Sequence, residues 1–127
     1  MKPFALAITA GLIIRIVLMS STVHPDFRAV NLAGYLIAQK GELLTFYDHI
    51  SRLPQEDTLK KLYGDNLFIY PPLAYLSHAI FNLLLYPAYP QSTFFTLISD
   101  IGNTSQDPSL PSLLFLLKLP YLLADVV

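Results

Sequence analysis

The sequence predicts an all-α, polytopic integral membrane protein with two to three membrane helices, because it is strongly apolar and gathers its apolar residues in three long segments. Apolar residues make up 54% of the 127 residues. Charged residues make up 13%, about half the share of an ordinary soluble domain. We therefore expect residues 1–127 to form a single partial membrane domain.

Charge and cysteine content exclude several classes of function. The formal net charge is −1 and no basic run is present, so a nucleic-acid partner is not expected. Cysteine is absent, which excludes a disulfide framework, a thiolate nucleophile and a cysteine-ligated metal.

Residues 4–23 are predicted to form the first membrane helix, since they are apolar and contain no proline. Arg15 near the middle argues against a cleaved signal peptide, whose apolar core rarely tolerates a charge. An arginine inside a membrane costs about 2.5 to 3.5 kcal/mol on the insertion scale and is usually kept for a partner or a function. A snorkelling structural charge is the alternative interpretation of Arg15.

Residues 24–66 form a long polar loop that contains an amphipathic helical pattern. The apolar residues with helical spacing are Phe27, Val30, Ala33 and Ile37. This pattern predicts a helix lying along the membrane surface. Asp26 is placed to cap the start of that helix and Gly41 to end it. Asp26 can therefore be a plain helix cap or a catalytic base at a membrane edge.

Residues 67–86 are predicted to form a second helix that crosses the membrane or re-enters it. Pro71 and Pro72 are expected in its first turn, where a missing amide donor costs least. Four polar or aromatic residues fall on one helical face, which should contact other helices: Tyr75, His78, Asn82 and Tyr86. For His78 a hydrogen-bonded packing role is favoured over a catalytic or metal-binding one.

Residues 87–109 are predicted to be a loop, and residues 110–127 the start of a third membrane helix. Lys118 and Asp125 share one face of this helix but lie about 10 Å apart along its axis. Their partners are then expected on other helices, either Arg15 or helices beyond Val127. The chain is accordingly expected to be part of a longer protein.

Several residues, taken in order, resemble a known family. They are Arg15, Asp26, the pair Tyr47-Asp48, the run Tyr70-Pro71-Pro72-Leu73, and the run from Lys118 to Asp125. Together they resemble the N-terminal part of the GT-C superfamily of membrane glycosyltransferases. The resemblance is to the mannosyltransferase-like branch, which uses polyprenyl- or dolichyl-phosphate sugars.

The resemblance implies that the protein transfers a hexose such as mannose from a polyprenyl-phosphate donor. The acceptor would be a glycan, a lipid or a protein at the extracytoplasmic face, with residues 24–66 as an extracytoplasmic loop. Asp26 matches the catalytic carboxylate and would act as general base. The cation at the phosphate would be Arg28, Lys118 or a basic residue beyond Val127. Tyr70, Tyr75 and His78 would line the cavity, with packing as their alternative role.

The same resemblance implies a bilayer partner, in the plasma membrane of a bacterium or the endoplasmic reticulum of a eukaryote. No cofactor is expected besides the lipid-linked donor, and no divalent metal is expected. These 127 residues alone are expected to be inactive. The alternatives are a non-enzymatic small membrane subunit that binds partner helices, and a transporter fragment with Lys118 and Asp125 on the substrate path.

Overall fold

The computed structural model describes residues 3–65 and 67–126, and in this part of the chain every regular element is helical. Seven α-helices are present there: α1 (Pro3–Met19), α2 (Pro25–Lys40), α3 (Thr58–Tyr63), α4 (Pro72–Leu85), α5 (Gln91–Ser99), α6 (Ile101–Thr104) and α7 (Leu110–Val126). Short 3₁₀ turns lie at Phe46–Asp48 and Tyr86–Ala88. The side chain of Asp125, which was expected to need a partner, lies outside the described residues.

The prediction of two to three membrane helices is wrong, and so is the multi-pass integral membrane location that followed from it. Among the described residues, no helix combines the length and the apolar character needed to cross a bilayer. Helices α1 and α7 have 17 residues each and α4 has 14. At about 1.5 Å per residue they are shorter than a hydrocarbon core of about 30 Å.

The helices are shorter than the apolar segments because local chemistry ends them early. Helix α1 stops at Met19 instead of Val23, and the hydroxyls of Ser21 and Thr22 bond the carbonyls of the last turn. Helix α4 begins at Pro72, as the paired prolines predicted, and not at residue 67, because Pro72 holds the preceding residue in an extended conformation.

Helix α2 occupies the centre of the structure, so the prediction of a surface helix within residues 24–66 is wrong. Its inner residues are fully covered, with Ala33 exposed by 0% and Leu36 by 2%. His24 caps its start, since the ring Nδ1 accepts the amide of Asp26 at 3.3 Å. Gly41 ends it with φ +70°, as predicted. Asp26 is therefore not the helix cap.

Helices α2 and α4 pack with their backbones almost in contact at Gly34. A Cβ atom added to Gly34 would lie 3.0 Å from the carbonyl carbon of His78 and 3.1 Å from its oxygen. Only glycine allows this approach, which sets His78 directly against α2.

The core lies between α2, α4, α5 and α7. Its fully buried side chains include Tyr75, Phe94, Leu97, Leu113 and Leu117. The polar stripe of α4 faces inward as predicted, with Tyr75, His78 and Asn82 buried. Helix α7 packs against both α4 and α1.

Candidate functional site

A cavity of about 880 Å³ opens between the C-terminal end of α1, the start of α2, α4 and α7. This volume falls within the range of small-molecule sites. Four of the predicted site residues line it: Asp26, Tyr70, His78 and Lys118. The other polar lining residues are Arg15, Thr22, His24, Ser77 and Tyr121. The apolar lining comes mainly from Leu18, Met19, Val23, Phe27 and Val30.

Asp26 lies in the first turn of α2, with its side chain about half exposed. Its Oδ2 accepts a 2.6 Å hydrogen bond from the hydroxyl of Tyr70, and His24 Nδ1 lies 3.4 Å from the same oxygen. A carboxylate at the N-terminal end of a helix is favourably placed with respect to the helix dipole. Since His24 supplies the cap, the carboxylate of Asp26 faces the cavity instead of the helix amides.

Tyr70 is held by two other tyrosines. Its amide donates to the hydroxyl of Tyr75 at 2.9 Å, and its carbonyl accepts from the hydroxyl of Tyr47 at 2.6 Å. The hydrogen bond to Asp26 raises the pKa of Tyr70, because only the protonated phenol can donate to the carboxylate. Tyr75, predicted to contact substrate, is fully buried beneath Tyr70 and does not line the cavity.

Arg28, predicted to bind the donor phosphate, lies outside the cavity. It follows Asp26 by two positions, which places it roughly 200° around α2. Its guanidinium lies beside Tyr63 of α3. Burial raises the pKa of Tyr63, and the positive charge of Arg28 opposes that rise. Arg28 therefore belongs to the packing between α2 and α3.

Lys118 joins α7 to the segment that follows α1. Its ammonium donates to the carbonyl oxygen of Thr22 and, at 2.9 Å, to the Oγ1 of the same residue. It also lies 5.5 Å from the centre of the Phe27 ring. Partial burial lowers the pKa of Lys118. These contacts fix a positive charge at the wall of the cavity.

His78 connects the cavity to α2. Its Nδ1 lies 3.3 Å from Oδ1 of Asn31 and its Nε2 lies 2.8 Å from the hydroxyl of Tyr121. Burial lowers the pKa of His78 to about 4, so the ring is neutral at pH 7. The sequence did not single out Asn31 or Tyr121. Tyr121 follows Lys118 by three residues, so helical spacing could have placed both on one face.

The cavity combines a carboxylate with a fixed cation. A carboxylate can take a proton from a hydroxyl, and an ammonium can stabilise a developing anion nearby. Among residues 3–65 and 67–126, no group of three or more His, Cys, Asp or Glu side chains is placed to hold a metal ion.

Comparison with known proteins found no matching family model, no matching curated protein and no matching solved structure. The resemblance to the GT-C superfamily therefore rests on the residues of the sequence.

Proposed function

We propose that this cavity binds a polyprenyl-phosphate sugar and that Asp26 is the general base of its transfer to an acceptor hydroxyl. The observation that carries the proposal is the placement of the Asp26 carboxylate and the Lys118 ammonium on the walls of one cavity. The sugar that the sequence resemblance implies is a hexose such as mannose. The acceptor is a hydroxyl of a glycan, a lipid or a protein.

The reaction uses the two charges in one step. The acceptor oxygen attacks the anomeric carbon, and its proton passes to the carboxylate of Asp26. The bond between the anomeric carbon and the phosphate oxygen breaks, and its electron pair leaves with the phosphate. Lys118 stabilises the charge that develops on that phosphate. Asp26 afterwards releases the proton to water.

The rest of the lining suits the parts of such a donor. The hydrogen bond from Tyr70 fixes one oxygen of Asp26, which orients the carboxylate without a rotation at the moment of attack. The apolar wall formed by Leu18, Val23 and Phe27 is suited to the first isoprene units of the lipid.

Donor binding tests the proposal. Titration of the protein with a polyprenyl-phosphate mannose in detergent is expected to show saturable binding that Lys118→Gln weakens by about tenfold, because one charge-assisted contact is lost. Lys61→Gln is the matched control, since Lys61 is an exposed lysine of α3. Equal donor affinities for the two variants would remove Lys118 from the phosphate site, and absence of donor binding by the wild-type protein would remove the function.

A second candidate function is suggested by α1. Apolar side chains are exposed around its circumference, among them Phe4 at 76%, Leu6 at 61%, Ile13 at 57% and Val17 at 60%. A helix that is apolar on all sides is normally covered. This favours a non-enzymatic subunit that binds partner helices through α1. A partner that binds the wild type but not a Leu6→Ser, Ile13→Ser double variant, with no sugar transfer by the complex, would support that function.

A further inference from the structure

Three side chains form a hydrogen-bonded row that ends at the cavity wall. Asn31 of α2 contacts His78 of α4, and His78 contacts Tyr121 of α7. Asn31 and His78 are 3% and 5% exposed, whereas Tyr121 is 44% exposed. Water therefore has little access to Asn31 and His78, and their polar atoms must form hydrogen bonds within the protein.

The direction of every proton in this row follows from its first member. Nδ2 of Asn31 lies 2.7 Å from the carbonyl oxygen of Phe27, which only an NH₂ group can approach as a donor. The opposite amide orientation would set two oxygens against each other. Oδ1 of Asn31 therefore faces His78 as an acceptor, and Nδ1 of His78 must carry the ring proton.

A neutral imidazole that carries its proton on Nδ1 leaves Nε2 as an acceptor. The low pKa of His78 keeps the ring neutral at pH 7. The hydroxyl of Tyr121 must then donate its proton to Nε2, at 2.8 Å. The hydroxyl oxygen of Tyr121 can therefore only accept a hydrogen bond from a ligand in the cavity.

Two further hydroxyls that line the cavity also donate their hydrogen bonds to other groups of the protein. Tyr70 donates to Asp26 at 2.6 Å, and Ser77 donates to the carbonyl of Ala74 at 3.2 Å. The wall formed by Asp26, Tyr70, Ser77 and Tyr121, here called the acceptor wall, therefore receives hydrogen bonds. Lys118 supplies donors at another part of the lining.

We propose that the row from Asn31 through His78 fixes Tyr121 as a hydrogen-bond acceptor. The acceptor wall then selects a ligand that is rich in hydroxyl donors, which is a sugar or another polyol. It does not bind a phosphate. The identity of the ligand as a sugar rests on the proposed function. The direction of the row does not. A charged phosphate oxygen at Tyr121 would have to accept the phenol proton, and the buried Nε2 of His78 would then be left without a donor.

The direction of the row is tested without any ligand. Nitrogen-15 NMR of the wild-type protein at pH 7 is expected to show the His78 proton on Nδ1 alone. Asn31→Leu removes the acceptor and is expected to let the Nε2-protonated form appear, whereas Gln39→Leu, on the same helix, keeps the wild-type pattern. A proton on Nε2 in the wild type would overturn the inference and leave the role of Asp26 unaffected.

The ligand class is tested by calorimetry with two probes, methyl α-mannopyranoside and inorganic phosphate. Tyr121→Phe is expected to weaken mannoside binding by about fivefold to tenfold, since one hydrogen bond is lost, and to change phosphate binding by less than about twofold. Tyr89→Phe is the matched control, because Tyr89 does not line the cavity. Equal weakening of both probes, or of phosphate alone, would overturn the inference. A protein that binds phosphate but no mannoside would overturn both the inference and the sugar-binding function.

Discussion

The hydroxyl of Tyr70 donates a 2.6 Å hydrogen bond to Oδ2 of Asp26, a residue 44 positions earlier in the sequence. The bond ties the start of α2 to the segment that leads into α4. Because Tyr47 and Tyr75 fix the backbone of Tyr70, its phenol has a defined position and in turn defines that of the carboxylate. The candidate base is thus oriented by a network of tyrosines.

This bond predicts a change in the titration of Tyr70. Asp26→Asn is expected to lower the pKa of Tyr70 towards the ordinary tyrosine value, because its main cause is the hydrogen bond to the carboxylate. NMR of ring-labelled tyrosine would follow the phenol signal from pH 8 to pH 12. Glu56→Gln, an exposed carboxylate outside the cavity, should leave it unchanged. An unaltered Tyr70 titration in Asp26→Asn would contradict the bond.

His78 predicts a loss of stability in mild acid. Its pKa is 6.5 when unperturbed and about 4 in the folded protein. Between these two pH values the imidazole of His78 is largely protonated in the unfolded chain and largely neutral in the folded protein. Stability then falls as the pH falls towards 4, with a loss of about 2 kcal/mol between pH 7 and pH 5 from this residue. Urea unfolding of the wild type and of His78→Gln at both pH values measures the difference. An equally large loss in His78→Gln would show that other groups cause it.

Gly34 predicts a destabilising steric contact. In Gly34→Ala the new methyl group would lie 3.0 Å from the carbonyl carbon of His78, so α2 and α4 must separate at an expected cost of about 1 to 3 kcal/mol. Gly11→Ala is the matched control in α1, where the added Cβ meets no atom within 4 Å and helix propensity favours alanine. Urea unfolding measures both. Equal stabilities of the two variants would rule out the close approach.

Tyr75 predicts a local loosening of Tyr70. Tyr75→Phe removes the acceptor of the Tyr70 amide at a fully buried position, which should cost about 1 to 3 kcal/mol of stability. Hydrogen exchange of the Tyr70 amide should accelerate in Tyr75→Phe and not in Tyr89→Phe. Unchanged exchange in Tyr75→Phe would mean that this amide is protected by another group.

The sequence patterns predicted where helices begin and end better than they predicted whether a helix contacts protein or membrane. Gly41 and Pro71-Pro72 mark ends because their backbone chemistry acts locally. Apolar content did not distinguish a membrane helix from a shorter one, since hydroxyls such as that of Thr22 bond the carbonyls where α1 ends. The amphipathic pattern of α2 located its apolar face correctly but not what covers it, which is a helix bundle and not a membrane surface.

The candidate site shows the same limit. Asp26, Tyr70, His78 and Lys118 were chosen from three separate segments, and the fold places them around one cavity. Tyr75 lies on the same helical face as His78. Helical spacing predicts a shared face but not how deeply each side chain is buried, and Tyr75 is buried below the site. The row from Asn31 to Tyr121 depends on how α2, α4 and α7 cross, which helical spacing within each segment does not contain.

The central claim is that Asp26 takes the proton of the acceptor hydroxyl. The most direct measurement is single-turnover transfer from bound polyprenyl-phosphate mannose to a soluble mannoside, by the full-length protein and by its Asp26→Asn variant. We expect Asp26→Asn to bind the donor within about threefold of wild type and to transfer the sugar about 10² to 10⁴ times more slowly. Transfer by Asp26→Asn within about threefold of the wild-type rate would contradict the claim.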